Sequence, residues 1–111
     1  MTISYKILAQ SAAAGSGSTS TLYTVPAATQ TVISTLSICN PNSSNVTCNV
    51  YVVPNGGSIT NASPLIGNAF VQNYDTLLLT LGVSLGTAGD TLQISANTAD
   101  VAFNLFGSEV S

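Results

Sequence analysis

Few groups in this chain can do chemistry. Charged side chains make up 5% of it, and the complete set is Lys6, Asp75, Asp90, Asp100 and Glu109, with no histidine and no arginine. General acid–base catalysis draws on histidine, or on paired carboxylates whose surroundings drive their pKa values apart. Asp90 follows Thr87-Ala88-Gly89 and Asp100 follows Asn97-Thr98-Ala99, contexts made of turn residues. Both therefore read as turn acids and not as a catalytic pair. Hydroxyls are plentiful, but a nucleophilic serine needs a base to activate it, and only a carboxylate or Lys6 is on offer.

Metal and phosphate chemistry are equally poorly supplied. Cys39 and Cys48 without any histidine cannot furnish the four nitrogen or sulfur ligands of a zinc site. No segment has the EF-hand calcium-loop pattern. Gly15-Ser16-Gly17 lacks the third glycine and the lysine of a phosphate-cradling loop. The expectation is no catalytic, cofactor-binding or metal-ligating residue, and no cofactor. Sequons at Asn42, Asn45 and Asn61 are what so Asn-, Ser- and Thr-rich a chain yields by chance, and they carry no functional weight.

Charge also limits the partners. One lysine against four acids gives a net charge of −3. A nucleic-acid binder needs several basic side chains to displace counterions from phosphates, and an anionic membrane surface asks for the same. Neither partner is expected. Residues 1–8 lack the apolar run of a signal peptide, and no stretch approaches about 18 consecutive apolar residues. The expected place of synthesis is a cytoplasm.

The elements that would carry these residues read as strands. Hydrophobic residues are 45% of the 111, in short runs rich in Val, Ile, Thr, Tyr and Leu and punctuated by Gly, Pro, Asn and Ser. No window sustains the 3.6-residue period of a helix. Strands are expected over 3–9, 21–25, 29–39, 46–53, 65–71, 75–81, 91–96 and from Val101 onward, with 82–89 a loop that has room for one short extended piece. The chain is thus expected to be one all-β domain over 1–111: a β-sandwich, jelly-roll-like, of about eight short antiparallel strands. Residues 10–20 read as a flexible Gly/Ser-rich loop, one able to make residues 1–9 an arm that adds a strand to a neighbour, the plainer alternative being an ordinary strand of the chain's own sheet.

Alternation assigns the faces. Ile3, Tyr5, Ile7 and Ala9 share one side of the first strand. Val32, Leu36 and Ile38 share a face of the third, and Val46, Cys48, Val50 and Val52 a face of the fourth. The expected core is Ile7, Leu36, Ile38, Val50, Val52, Leu79, Leu92, Ile94, Phe103 and Leu105, with Tyr5 and Phe70 as further aromatic candidates. If the third and fourth strands pair across the 40–45 loop, Ile38 sits opposite Cys48, Cys39 points to the other face, and both thiols are free.

Four segments resemble a family of small bacteriophage virion structural proteins, common in cyanophage-like and other tailed-phage genomes. They are Tyr5-Lys6-Ile7-Leu8-Ala9-Gln10; Leu22-Tyr23-Thr24-Val25-Pro26 with Val32-Ile33-Ser34-Thr35-Leu36; Asp75-Thr76 with Leu79-Thr80-Leu81-Gly82; and Ala102-Phe103-Asn104-Leu105-Phe106-Gly107-Ser108-Glu109. Members often carry arginine after the Cys39-Asn40 position, where this chain has Pro41. The resemblance implies a non-enzymatic virion protein, foremost a capsid decoration (cement) protein stabilising the head. The alternative is a small tail, baseplate or fibre module, with host-glycan binding as its task. So weakly charged a surface self-associates. The expected partners are therefore copies of itself, as a homo-oligomer and foremost a trimer, and the major capsid protein or other virion proteins.

Overall fold

The alternation of β-branched and leucine residues with Ser, Thr and Asn produces eight strands in the computed structural model, which describes residues 2–111. They are β1 (Ile3–Ala12), β2 (Ser20–Thr24), β3 (Gln30–Cys39), β4 (Val46–Val53), β5 (Pro64–Val71), β6 (Thr76–Leu85), β7 (Thr91–Ala96) and β8 (Ala102–Val110). Two four-stranded sheets form, in the orders β1-β8-β3-β6 and β2-β7-β4-β5, and every pairing is antiparallel. Strand 1 pairs with 8, 2 with 7, 3 with 6 and 4 with 5. The chain is a long two-stranded ribbon, turned back at β4–β5 and wound so that its successive strands alternate between sheets. That winding is the jelly roll.

The core lies between the sheets. Ile33, Leu36, Ile38, Phe103 and Leu105 from the first sheet meet Cys48, Val50, Leu92 and Ile94 from the second, all of them fully buried. Each aliphatic or aromatic side chain removed from water here contributes roughly 1.5–3 kcal/mol.

Several expectations need correcting, and those for the faces of β1 and β3 trace to one feature. The first sheet carries bulges at matching heights. The β1–β8 register slips between Ile7 and Ala9, and the β3 registers with both β6 and β8 slip between Ile33 and Thr35. A bulge inserts one residue, so side chains beyond it change faces. Ile33, Leu36 and Ile38 are therefore inside, while Val32 faces out at 40% exposure. Below the bulge in β1, Ala9 pairs with the buried Leu105; above it Ile7 pairs with Phe106 on the outer side. Ile7 is 55% and Tyr5 83% exposed, so neither is core, and Phe70 is exposed as well. Val52 and Leu79 are half-buried against the core; at the end of β4 it is Val53 that is buried.

Residues 10–20 are not all loop. β1 continues through Ala12. Ala13 donates its N–H to the Val101 carbonyl, and Ser16 and Gly17 donate to Asn97 and Ala96. Gly15 is buried with φ +88°, and a Cβ there would stand 2.6 Å from the Ala99 backbone nitrogen. Residues 3–12 pair with the chain's own β8, so the arm is not seen. The expected 82–89 loop is also shortened, because β6 runs through a left-handed Gly82 (φ +65°) to Leu85.

The proposed Ile38–Cys48 opposition fails for a topological reason: β3 and β4 belong to different sheets. Cys39 still points outward, since its neighbour Ile38 faces the core, and Cys48 is buried; both are free thiols. Burial pushes the Cys48 thiol up to about 11.

Three outcomes follow from this packing. Phe103→Ala should cost about 3–5 kcal/mol in urea unfolding, as for a fully buried ring, whereas the outward-facing Ile7→Ser should stay within about 0.5 kcal/mol. Gly107→Ala should cost at least about 1–3 kcal/mol, because its Cβ would lie 2.1 Å from the Val32 carbonyl oxygen. A thiol reagent should label Cys39 in the native protein and Cys48 only after denaturation, with no reductant required for either.

Candidate functional site: an apolar sheet face

The bulge row divides the outer side of the first sheet into two unlike halves. Below it, the row Gln10, Asn104, Ser37 and Leu78 lies straight across the four strands, mostly polar. Above it, Tyr5 aligns with Ser108 and Val32, and Ile3 with Val110 and Gln30. Ile3, Tyr5, Ile7 and Val32 are all exposed. No charged side chain is among these outward-facing residues. Around the bulge the sheet dips into a shallow hollow of about 600 Å³ lined by Tyr5, Lys6, Ile7, Val32, Ser34, Phe106, Gly107 and Ser108. Ser34 donates its hydroxyl to the Phe106 carbonyl at 3.2 Å, closing the bulge on that side.

The inner side of the same strands explains why this face stays in place. Lys6 and Glu109, on neighbouring strands β1 and β8, form an ion pair, Nζ to Oε1. The other carboxylate oxygen accepts the Tyr23 hydroxyl from β2 in the opposite sheet. The phenol has a single proton and it goes to the carboxylate, so the Thr31 hydroxyl, 2.7 Å away, donates to the phenol oxygen. Four strands are thus tied at one point. The Lys6 bond, then the Tyr23 bond, hold the Glu109 carboxyl below its ordinary value despite partial burial. Burial first, and then the Glu109 bond, push the Tyr23 phenol up to about 12, partly offset by the donation from Thr31.

The remaining acids serve turns. Asp90 accepts N–H bonds from Asn55 at 2.9 Å and Thr87 at 3.2 Å. Asp75 accepts from the adjacent Thr76 N–H at 2.8 Å. Asp100 sits in a left-handed turn (φ +69°) beyond the end of β7. Asp90 and Asp100 flank β7 at its opposite ends, so the structure does not bring them together. Among the described residues no cluster of three or more metal-ligating side chains occurs. The exposed face was missed in the sequence because Ile3-x-Tyr5-x-Ile7 is also the pattern of a buried strand edge; only the bulge at Leu8 distinguishes the two.

No protein-family model matches the chain, and no curated protein does. Solved structures do share its fold at low identity. A capsid chain of infectious bursal disease virus, from the T13 particle, superposes with a TM-score of 0.59 at 12% identity over 97% of this chain and 30% of that one. The Drosophila NLP-core, whose structure concerns pentamer formation and histone binding, matches with a TM-score of 0.55 at 12% identity over the whole of both chains. A chain of the cyanophage Pam1 capsid asymmetric unit gives 0.46 at 15% identity over 97% of this chain and 82% of that one, a likeness too loose to bear on function. The chain spans about 30% of the length of the bursal disease virus protein it matches. It has the jelly-roll fold found in viral capsid proteins, and at these identities fold is what is shared.

The polar tie sets the pH dependence. Glu109 ionises more readily folded than unfolded, so its contribution is present above the ordinary carboxylate range and is lost as pH falls through its lowered folded value. Tyr23 does the reverse: its contribution is complete below the ordinary phenol value near 10 and is lost as pH rises through about 12. Urea midpoints measured across pH should therefore show an acid limb flattened by Glu109→Gln and an alkaline limb flattened by Tyr23→Phe. Unchanged limbs in both variants would mean that the tie adds nothing to stability.

Proposed function

We propose that the protein is a non-enzymatic virion structural subunit: a capsid decoration protein that seats the upper outer face of its first sheet on the major capsid protein and so reinforces the head. One observation carries the reading. An apolar face including Ile3, Tyr5, Ile7 and Val32 is exposed to solvent, although the chain has only five charged groups with which to stay soluble. Such a face marks a site of association. The jelly-roll fold shared with viral capsid chains and the resemblance to small phage virion proteins support a particle as the partner. The subunit acts as a homo-oligomer, with a trimer on a three-fold point of the head as its proposed closed form, and is located in the virion. No residue is assigned a catalytic, cofactor or metal role.

Full-length similarity to a histone-binding fold does not redirect this reading. A basic partner calls for concentrated negative potential, and here Glu109 is paired with Lys6 while Asp75, Asp90 and Asp100 stand singly in separate turns.

The exposure of Tyr5 favours one second reading, a tail or fibre module that binds host glycans. Aromatic rings set beside hydroxyls can stack on sugars, and Tyr5 is flanked by Ser108 and close to Ser34 across the hollow. The surrounding Ile3, Ile7 and Val32 fit a protein surface better than a sugar. Binding to purified empty capsids should weaken at least about tenfold, roughly 1.4 kcal/mol, in Tyr5→Asp and Ile7→Asp, while the urea midpoint is unchanged. Mass spectrometry of particles should show high copy number. A handful of copies per particle, no capsid binding and binding to a glycan array lost in Tyr5→Ala would replace the capsid reading with the tail reading.

A further inference from the structure

Each jelly-roll sheet has two edges, and the four edge strands here are protected very unequally. β2 is short at five residues. β5 contains Pro64, Gly67, a left-handed Asn68 and two register shifts against β4. β1 turns the charged Lys6 inward and has a bulge at Leu8. These are the means by which proteins blunt strand edges against further pairing. β6 is different. It runs ten residues, Thr-Leu-Leu-Leu-Thr-Leu-Gly-Val-Ser-Leu, without proline or charge, and it is the outermost strand of its sheet. Its one irregularity is the bulge at Leu81–Gly82, so the stretch Thr76–Leu81 offers an intact edge. The apolar side chains behind that edge are also incompletely covered. Leu77, Leu79, Leu81 and Val83 pack against the core but stay half-buried, while Leu78, on the outer face, is 67% exposed.

We propose that β6 is a self-association edge: two copies of the chain pair their β6 strands antiparallel about a two-fold axis at Leu79, joining their first sheets into one eight-stranded sheet. In this register Leu79 faces its own copy, Leu77 faces Leu81 and Leu78 faces Thr80. The half-buried inward leucines of each copy complete the inner surface of the other, and directly opposed aliphatic pairs each add stability. The nearest charge, Asp75, falls opposite Val83, so no like charges meet. A self-pairing of β1 would instead bring two Lys6 residues into one ladder. A second copy therefore fits this edge by both charge and shape. A strand pairing of this length falls short of the roughly 1,000 Å² of a stable interface. Dimerisation is therefore concentration-dependent, and strengthens where copies are held close together, as on a particle surface. The pairing does not rest on the capsid reading. If trimers form through other surfaces, two-fold β6 contacts link them into a net.

The test uses the full chain with Cys39→Ser, leaving Cys48 buried. Directly opposed residues of an antiparallel ladder have Cα atoms about 4.5–5.5 Å apart, within reach of a disulfide. Leu79→Cys should thus form an intermolecular homodisulfide under mild oxidation. Leu78→Cys, whose copy lies diagonally at about 7–8 Å, should not. By sedimentation at high concentration, the wild-type chain should associate in pairs, as dimers or as paired trimers. Leu78→Lys, a substitution at an exposed position, should halve the sedimenting mass with no change in its urea midpoint. A monomer or lone trimer without the Leu79→Cys disulfide overturns the proposal and leaves the capsid reading standing. Preferential cross-linking through Leu78→Cys overturns the register and the proposal with it.

Discussion

Much of this molecule's form depends on how closely the β3 backbone and the Leu8 side chain approach Gly107. There β8 runs between the bulge of β1 and the bulge of β3, and a Cβ would lie 2.1 Å from the Val32 carbonyl oxygen and 3.0 Å from Leu8 Cδ1. No side chain fits that space without moving main chain. The glycine thus permits the bulges to sit side by side, and the bulges decide which residues of β1 and β3 look inward. Ile33, Leu36 and Ile38 can all be buried although their spacing breaks strict alternation. Val32 and Ile7 are turned out for the same reason. Core and interaction face are two consequences of one backbone arrangement.

A chain with so few charges must satisfy its buried polar groups with care, and it does so mainly with amides. Asn40 is fully buried. Its Nδ2 donates to the carbonyls of Ser44, Val71 and Gln72, and its Oδ1 accepts from the Asn42 N–H, so the 40–45 loop is locked to the end of β5. Asn97 does the same at β4 through the Thr47 N–H. The opposite end is closed by the Lys6–Glu109–Tyr23–Thr31 tie. Among the described residues no buried side-chain nitrogen or oxygen is left without a partner. A buried polar group costs stability chiefly when unpaired, so these networks fix the strand ends at little cost.

What could be read from the sequence follows the same division. The strand content, the position of β4 and β7, and the burial of Leu36, Ile38, Val50, Leu92, Ile94, Phe103 and Leu105 were legible, because alternation of period two within a run reports directly on a sheet face. Pairing was not. Cys39-Asn40 to Val46 looks like a hairpin loop, yet the chain there crosses between sheets, and local turn chemistry cannot distinguish the two. The bulges were also hidden: Ser34-Thr35 has no glycine or proline to announce an extra residue, and so Val32 was assigned to the wrong face. Residues 10–20 misled in another way. Small residues there read as loop, whereas β1 runs on through Ala12 and Gly15 packs on the Ala99 backbone. Since the exposed face exists only by virtue of those bulges, it could not have been found before the fold.

The scarcity of charge gains its meaning from where the charges stand. Lys6 and Glu109 neutralise each other, and Asp75 and Asp90 bond backbone within turns. None lies within β6, and none points outward with Ile3, Tyr5, Ile7 and Val32. A freely diffusing monomer gains from spreading charge over such surfaces, and gatekeeping charges on an edge strand are inexpensive. A protein that works in contact with neighbours has the opposite requirement, because every charge on a contact surface must be desolvated when the contact forms. The pattern here, with charge spent on internal ties and withheld from one face and one edge, matches that second requirement. It also separates the two surfaces by role. The upper sheet face presents side chains and suits a partner of complementary shape, whereas the β6 edge presents main chain, for which a second strand of the same sequence is the simplest complement.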